Sequence, residues 1–373
     1  MDKDGISNLF RKIRAPFVIE KDVDYYQSVQ TMLHDLIIVL YEYKADIMMM
    51  NKIKKFIDTV LSVLREYYKG NIAYSQIKMT NIIKTICKED KDAANDINNC
   101  KVFGGDNGAI PFFRARLDAD EDGFKAKDMG VIPFSLRTKT KTERFSMPGL
   151  PCLYLGNTSY VCWLEMGKPA EHRFNVSPVL IDRTLKVFDM TVNASYLFDI
   201  DGNGKTMLSK KITPGLLKRI VLALCSLFRV KEYNRDFKSE YIIPQLIMLA
   251  CQKIGLDGVA YISSKISNSG ISGVCAINVA LYARYPHNKY KSGSVKSELE
   301  DHIQIDDAFN YAMFKQFLQP EFSLNSPLWL DRCRWIKNIE INNMQFAYRE
   351  TQFYDFDKFL FNRWEKKLGY VKM

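Results

Sequence analysis

Apolar side chains in the first hundred positions recur with the period of one helix face. Ile53, Phe56, Ile57, Val60, Leu61 and Leu64 fall on a single stripe, and the run from Tyr26 to Tyr43 has a similar period. Two or three antiparallel helices joined by short polar turns are therefore expected over residues 1–105, followed by a polar boundary from Lys88 to Asn99. The texture changes at Phe112. Short apolar bursts now alternate with Pro111, Gly130, Pro133, Pro148, Gly149 and Pro151, which reads as strands and loops. Cys152 to Leu155 is a strand candidate, and Ser159 to Met166 returns to a helical pattern. Pro214 stands where a helix would start, Leu216 to Val230 reads as a strongly apolar helix, and Tyr241 to Ile254 reads as another that Gly255 ends. Val259 to Ile262 and Val274 to Leu281, rich in Val, Ile and Ala, read as buried strands.

The centre of the chain is thus α+β: a mixed β core with surrounding helices, preceded by an N-terminal α-helical bundle. From about Pro320 onward the chain carries Phe322, Trp329, Trp335, Phe346, Tyr348, Phe353, Tyr354, Phe356, Phe359, Phe361 and Trp364. Aromatics at that density pack onto a core or a partner. The expected organisation is a helical domain over 1–105, a catalytic domain over 106–318, and an aromatic-rich segment over 319–373 packed on it.

Composition narrows the class. At 373 residues and 47% hydrophobic content the chain has material for a large core. Its longest apolar runs, such as Ile220 to Phe228, are shorter than the ~20 residues that span a bilayer. The basic stretch Arg11 to Arg14 leads into no long apolar region, so no secretory signal is read and a cytoplasmic location is expected, away from membranes. Cys87, Cys100, Cys152, Cys162, Cys225, Cys251, Cys275 and Cys333 include no CxxC pair, which argues against a zinc ribbon or disulfide scaffold; no metal site is expected. The net charge of +10 favours anionic partners but is spread along the chain. Its densest run, Arg137 to Arg144, reads first as a solvated loop, then as a phosphate-binding segment, then as a nucleic-acid patch.

Two motifs lead nowhere. Asp199 to Lys210 offers Asp199, Asp201, Asn203 and Gly204 of a calcium loop, but its twelfth position is Lys210, where a bidentate Glu is needed. The same stretch holds Gly204-Lys205-Thr206 of a phosphate loop, with Asp199 in place of the leading glycine. An exposed turn is the simpler reading. His34 lacks the companion arginine spacing of a helical ribonuclease and reads as a surface or interface histidine.

Candidate chemistry concentrates between Phe112 and Glu165. Arg114, Arg116 and Arg144 are cations suited to phosphates, Tyr154 is an aromatic shelf, and Glu165 is a carboxylate able to stabilise positive charge on a sugar ring. These residue types at these spacings occur in many proteins. Their order is more telling. Phe113-Arg114-Ala115-Arg116 resembles the opening arginine strand of the RES-domain family, named for its Arg, Glu and Ser. Arg144-Phe145-x-x-Pro148-Gly149-x-Pro151-x-Leu153-Tyr154-Leu155, followed by Glu165, is similar to that family's Gly-Arg-Trp-Asn-x-x-Gly, Leu-Tyr-x-Ser and Glu run. Phe145-Ser146 stands here for Trp-Asn, and Glu143 for the preceding Gly. Downstream, Val187 to Thr191, Glu240 to Gln245, Asp257 to Ser264 and His302 to Asn310 resemble further family elements in the same order, the third being its Tyr-x-Ser-Ser signature.

The resemblance implies an ADP-ribosyltransferase-like fold, an N-terminal helical domain of HEPN/RES type, and an enzyme that cleaves the nicotinamide-ribose bond of NAD. The acceptor would be phosphate or water, making the chain an NAD phosphorylase or glycohydrolase. It implies Glu165, Arg114 and Ser263 as catalytic residues, with Arg116, Arg144, Tyr154, Tyr261 and Ser264 binding substrate. The choices between Arg114 and Arg116, and between Ser263 and Ser264, stay open. No cofactor is required, since NAD is the substrate. The implied role is a bacterial toxin or antiviral effector, with NAD, inorganic phosphate, an antitoxin or regulatory protein, and a second copy of the chain as partners. Two alternatives are an ADP-ribosyltransferase acting on protein or nucleic acid, and a non-enzymatic module that binds nucleic acid or a partner.

Overall fold

The computed structural model describes residues 11–20, 23–96, 110–120, 123–200, 206–230, 237–265, 276–285, 297–316, 338–341 and 344–367. The elements used below are, in chain order, β1 (Phe17–Ile19), α1 (Tyr25–Glu42), α2 (Ile47–Tyr68), α3 (Ile72–Glu89), β2 (Ile110–Leu117), β3 (Cys152–Gly156) and α4 (Ser159–Glu165). The later ones are β4 (Phe174–Ile181), β5 (Lys186–Met190), α5 (Pro214–Cys225), β6 (Phe228–Val230), α6 (Ile242–Lys253), β7 (Gly258–Ile262), β8 (Ile277–Tyr282), β9 (Ile303–Ile305), α7 (Tyr311–Gln316) and α8 (Gln352–Lys367). The fold is α+β. Residues 1–95, 142–146 and 186–264 group into one compact unit, and 96–141, 147–185 and 265–373 into a second.

In the first unit the N-terminal helices form from the stripe seen in sequence. Asp24 and Asp46 cap α1 and α2 by accepting from the Tyr26 and Met49 N–H groups. Ile53, Phe56, Ile57, Val60, Leu61 and Leu64 are all buried. His34 is exposed on α1. The third helix, α3, packs on α5 and α6. Gly215 permits the close approach of α5, since a Cβ there would lie 2.8 Å from the backbone carbon of Glu89 and from the Cβ of Asp90. Lys218 then meets Glu89 at 2.7 Å, and the Tyr25 hydroxyl donates to the Cys225 carbonyl at 2.7 Å. At the centre, the buried Arg219 guanidinium meets Asp90 at 2.9 Å and Asp189 at 3.2 Å, and donates to the Asp92 carbonyl at 2.8 Å. Asp90 ends α3 and Asp189 lies in β5, so one arginine ties a helix of the N-terminal bundle to a strand. Burial raises the Asp189 carboxyl, while Arg219 and the Thr191 donors lower it.

The apolar run Leu216 to Val230, expected as one helix, divides. The helix ends at Cys225, and Phe228–Val230 is a strand paired in parallel with β1, Phe17 opposite Phe228. A continuous apolar run fits a buried helix or a buried strand equally, and the distant Phe17–Ile19 segment decides it. The expected strand from Val259 is β7, parallel to β5 with Val259 opposite Phe188.

The second unit is built on antiparallel strands in the order β9-β4-β2-β3-β8. The strand expected from Val274 is β8, beginning at Ile277; Val274 itself lies outside the described residues. On one face, Phe113, Ala115, Phe174 and Val176 share a core with Tyr160, Cys162 and Leu164 of α4, Tyr311 and Phe314 of α7, and Phe353, Phe356, Leu360, Phe361 and Trp364 of α8. Positions 353, 356, 357, 360, 361 and 364 make one helical stripe, and its single polar member, Asp357, is fully buried. Phe322, Trp329 and Trp335 lie outside the described residues. Of the Arg137 to Arg144 stretch, Arg137 to Lys139 are exposed in a short turn, whereas Arg144 is half-buried and hydrogen-bonded. Residues 201–205 of the calcium-like loop lie outside the described residues; no cluster of metal-ligating side chains, and no helix long and apolar enough to cross a membrane, occurs among those described.

Replacing Arg219 with Met strands two buried carboxylates and is expected to destabilise the protein by about 3–5 kcal/mol, measured by urea unfolding. The expected pH response centres on Asp357. Ser159 and Tyr348 donate to it, and among the described residues Cys162 and Tyr311 feel its charge. Burial pushes its carboxyl up to about 7 against the pull of both donors. An unfolded aspartate titrates near about 3.9, so between these values the unfolded chain ionises while the native one keeps its proton. Stability therefore falls as pH rises across this window, by up to roughly 1.4 kcal/mol per pH unit, and levels off above it. Asp357→Asn should remove that slope; equal slopes in both proteins, by urea unfolding from about pH 4 to about pH 8, contradict the assignment.

Candidate functional site

Each unit holds part of the residue set singled out in sequence. In the first unit, Arg144 sits on a tight turn closed by Glu143 and Ser146, whose backbones exchange hydrogen bonds of 3.1 and 3.3 Å. Phe145 anchors the turn, fully buried with its ring 4.5 Å from that of Tyr261. The Gln245 amide on α6 donates to both the Glu143 and Ser146 carbonyls at 3.2 Å. The turn is thus fixed at both ends and in the middle. The arginine it presents donates through Nη1 to the carbonyls of Ser226 at 2.5 Å and Phe228 at 3.1 Å, and through Nη2 to the Ser264 hydroxyl at 2.7 Å. Its guanidinium carbon lies 5.3 Å from the centre of the Tyr241 ring.

That arrangement leaves Nε and one Nη2 hydrogen without a described acceptor, on a half-buried guanidinium whose other edge is committed. A planar donor pair held this way suits a phosphate or carboxylate. Tyr261 is buried against Phe145, and Ser263 is buried beside the exit of β7.

In the second unit, Glu165 closes α4 and accepts from the Asn278 side-chain amide at 2.6 Å. The helix is seated closely because β3 ends in Gly156, where a Cβ would lie 2.9 Å from Cys162 Sγ; that thiol donates to the Phe113 carbonyl at 3.3 Å. Thr158 caps the helix through the Val161 N–H. Strand register fixes the faces. Phe113, Gly156 and Asn278 form one cross-strand row, and Tyr154, two residues from Gly156, lies on the same face opposite Ala280. Tyr154 and Asn278, the partner of Glu165, therefore share a face.

Arg114 and Arg116 leave β2 on the other face, opposite Ser177 and Asn175. Among the described residues Arg114 makes no hydrogen bond or ion pair, and its buried Nε has no acceptor. Burial, with Arg116 alongside, lowers its guanidinium to about 9, still a cation near neutral pH. Arg116 stacks 5.7 Å from the Phe124 ring. The structure brings Arg144 to Ser264, seats Phe145 on Tyr261, gathers Tyr154 and Asn278, and sends Arg114 and Arg116 to the opposite face.

Three contributors carried no role in the sequence reading. Asn278 is a lone amide inside the apolar run Ala276 to Tyr282; Asp357 is a lone acid in an aromatic stripe; Gln245 comes directly after the apolar Tyr241 to Pro244 segment. A polar residue interrupting an apolar pattern was the available signal in each case.

No family model matches the chain. It is 30% identical over 280 residues, 71% of its length, to a protein of Bacillus subtilis (strain 168) described as "Putative toxin YopC", and spans 60% of that relative's length. Among solved structures, the M. tuberculosis MbcT-MbcA toxin-antitoxin complex aligns at a TM-score of 0.31 and 13% identity, covering 63% of this chain and 95% of that one.

Gly156→Ala should cost about 1–3 kcal/mol, because the added methyl meets Cys162 Sγ and, at 3.3 Å, the Thr158 carbonyl. Differential scanning calorimetry checks this; a melting temperature equal to wild type contradicts the close seating of α4.

Proposed function

We propose that this chain is a toxin that destroys NAD by cleaving its nicotinamide-ribose bond, on an ADP-ribosyltransferase-like fold. The observation that carries the reading is the hydrogen bond between Arg144 and Ser264. These residues stand 120 positions apart, and the ordered resemblance picked out each of them independently, one in the Arg-Phe-x-x-Pro-Gly run and one in the Tyr-x-Ser-Ser element. A toxin role is supported further by the name of the Bacillus relative.

In this reading nicotinamide departs with the electron pair of the C–N bond and is neutral as it leaves, so no proton need be delivered to it. The demand falls on the ribose, which becomes cationic, and on the pyrophosphate, which must be gripped. For the pyrophosphate the resemblance names Arg144, whose open edge suits a phosphate and whose plane Ser264 fixes within the first unit. Tyr154 supplies a shelf for the nicotinamide ring. Glu165, oriented by Asn278, stabilises the ribosyl cation as glycosidase carboxylates do. Water or inorganic phosphate then bonds to C1, the water oxygen losing a proton to solvent. Arg114 and Arg116, cations without described hydrogen-bond acceptors, form a second anion-seeking pair. An antitoxin or regulatory protein that blocks NAD entry is the partner this reading implies.

Incubating the protein with NAD should release nicotinamide, together with ADP-ribose or, when phosphate is supplied, its phosphorylated form. Glu165→Gln should lower kcat by about a hundredfold or more while the variant stays folded. Arg144→Ala should chiefly raise KM for NAD, by about tenfold. An inert wild-type protein, or an undiminished Glu165→Gln variant, overturns the reading.

A further inference from the structure

We propose that Asp357 is the positioning residue for Glu165, a role that rests on the reading of Glu165 given above. Asp357 lies in the apolar stripe of α8, fully buried among Phe353, Phe356, Leu360 and Phe361. An ionisable group in such a stripe is costly unless its partners answer it. They do so at one place. Its Oδ1 accepts the Ser159 N–H at 3.0 Å, its Oδ2 accepts the Tyr348 hydroxyl, and the Ser159 hydroxyl points back to the Phe353 carbonyl at 3.5 Å.

Ser159 is the first residue of α4 and Glu165 the last. Seven residues of helix span only about 9 Å, so a hold on the first turn fixes the direction of the whole element. The far end is held by the bond from Asn278 to the Glu165 carboxylate. Along its side, Cys162 is pressed onto Gly156 and the Phe113 carbonyl. Helix α4 is thus pinned at both ends, and the pin at its start comes from the C-terminal helix. Thr158 already caps this helix through Val161, so the Asp357 contact is a second restraint on the same turn, reaching it from a different part of the chain. If Asp357 is lost, α4 can pivot about Gly156 and Glu165 moves relative to the ribose. A displacement of about 1 Å can lower turnover by up to about a hundredfold.

The test compares kcat and KM for NAD in full-length wild type, Asp357→Ala, Asp357→Asn, Tyr348→Phe and Glu165→Gln, counting only folded protein established by melting curves. Asp357→Ala should lower kcat by about tenfold to a hundredfold with KM changed less than about threefold. Asp357→Asn keeps an acceptor for the Ser159 N–H and should restore kcat to within about threefold of wild type. In the Glu165→Gln background, Asp357→Ala should have no further effect, since its influence passes through the carboxylate. Wild-type kcat in folded Asp357→Ala overturns the positioning role, as does an equal additional loss in the Glu165→Gln background. If Asp357→Ala does not fold, Tyr348→Phe decides: it should lower kcat by about threefold or more at unchanged KM, and an unchanged kcat overturns the proposal. The reading of Glu165 fails separately, by an inert wild type or a fully active Glu165→Gln variant, whatever Asp357 does.

Discussion

A buried charge must be answered by its neighbours, and in the first unit Arg219 is where that requirement shapes the fold. Its guanidinium is shared between Asp90, at the end of α3, and Asp189, in β5, and a backbone carbonyl at Asp92 completes the set. One of those carboxylates belongs to the N-terminal helices and the other to the parallel β5-β7 pair, so the helices cannot dock in another register without exposing one acid or stranding the other. Gly215 is the steric counterpart, allowing α5 to approach closely enough for Arg219 to reach both. The segments beyond α5 inherit this placement. The end of the helix delivers Ser226 and Phe228, whose carbonyls orient Arg144, and β7 delivers Ser264. The grip on Arg144 therefore follows from the placement of α5 that the charge cluster sets.

The second unit buries an acid that holds on to its proton instead. Asp357 is a lone acid in an aromatic core, answered by an N–H and a hydroxyl rather than by a cation. Its raised affinity for a proton is the cost of that choice, and the gain is direction: a hydrogen bond to a helix's first turn fixes orientation as ring packing alone cannot. Tyr311 lies parallel to Phe353 at 4.8 Å and Phe314 contacts Phe356 at 4.9 Å, supplying burial but little angular constraint on α4.

The legible parts of this fold are those with a local period. The stripe from Ile53 to Leu64, the Cys152 to Leu155 burst and the Ser159 to Met166 pattern became α2, β3 and α4 with boundaries shifted by only a few residues. Leu216 to Val230 was not legible as helix and strand, because the β-partner of Phe228 lies more than two hundred positions earlier at Phe17. The two units were illegible for the same reason: each is assembled from three separated stretches, and the five-residue piece 142–146 belongs with residues far along the chain. In the candidate site, residue types were legible and faces were not. Arg114 and Arg116 look like Arg144 in sequence, yet strand parity sends the first two to the face opposite Asn278, whereas Arg144 is drawn to Ser264.

Phe145 shows how one ring can serve a turn mechanically. Where the resembling run has Trp-Asn, this chain has Phe145-Ser146, and the phenyl ring is fully buried on Tyr261. A ring in that position anchors the turn that carries Arg144, and a phenyl serves that purpose without needing a partner for an indole N–H. Ser146 contributes its backbone, closing the turn with Glu143 and accepting from Gln245, tasks for which the side chain is immaterial. An asparagine's extra amide is therefore replaceable as far as holding the turn is concerned. The buried phenyl ring and the Ser146 backbone thus present Arg144 rigidly, and Ser264 and Tyr241 hold the plane of its guanidinium.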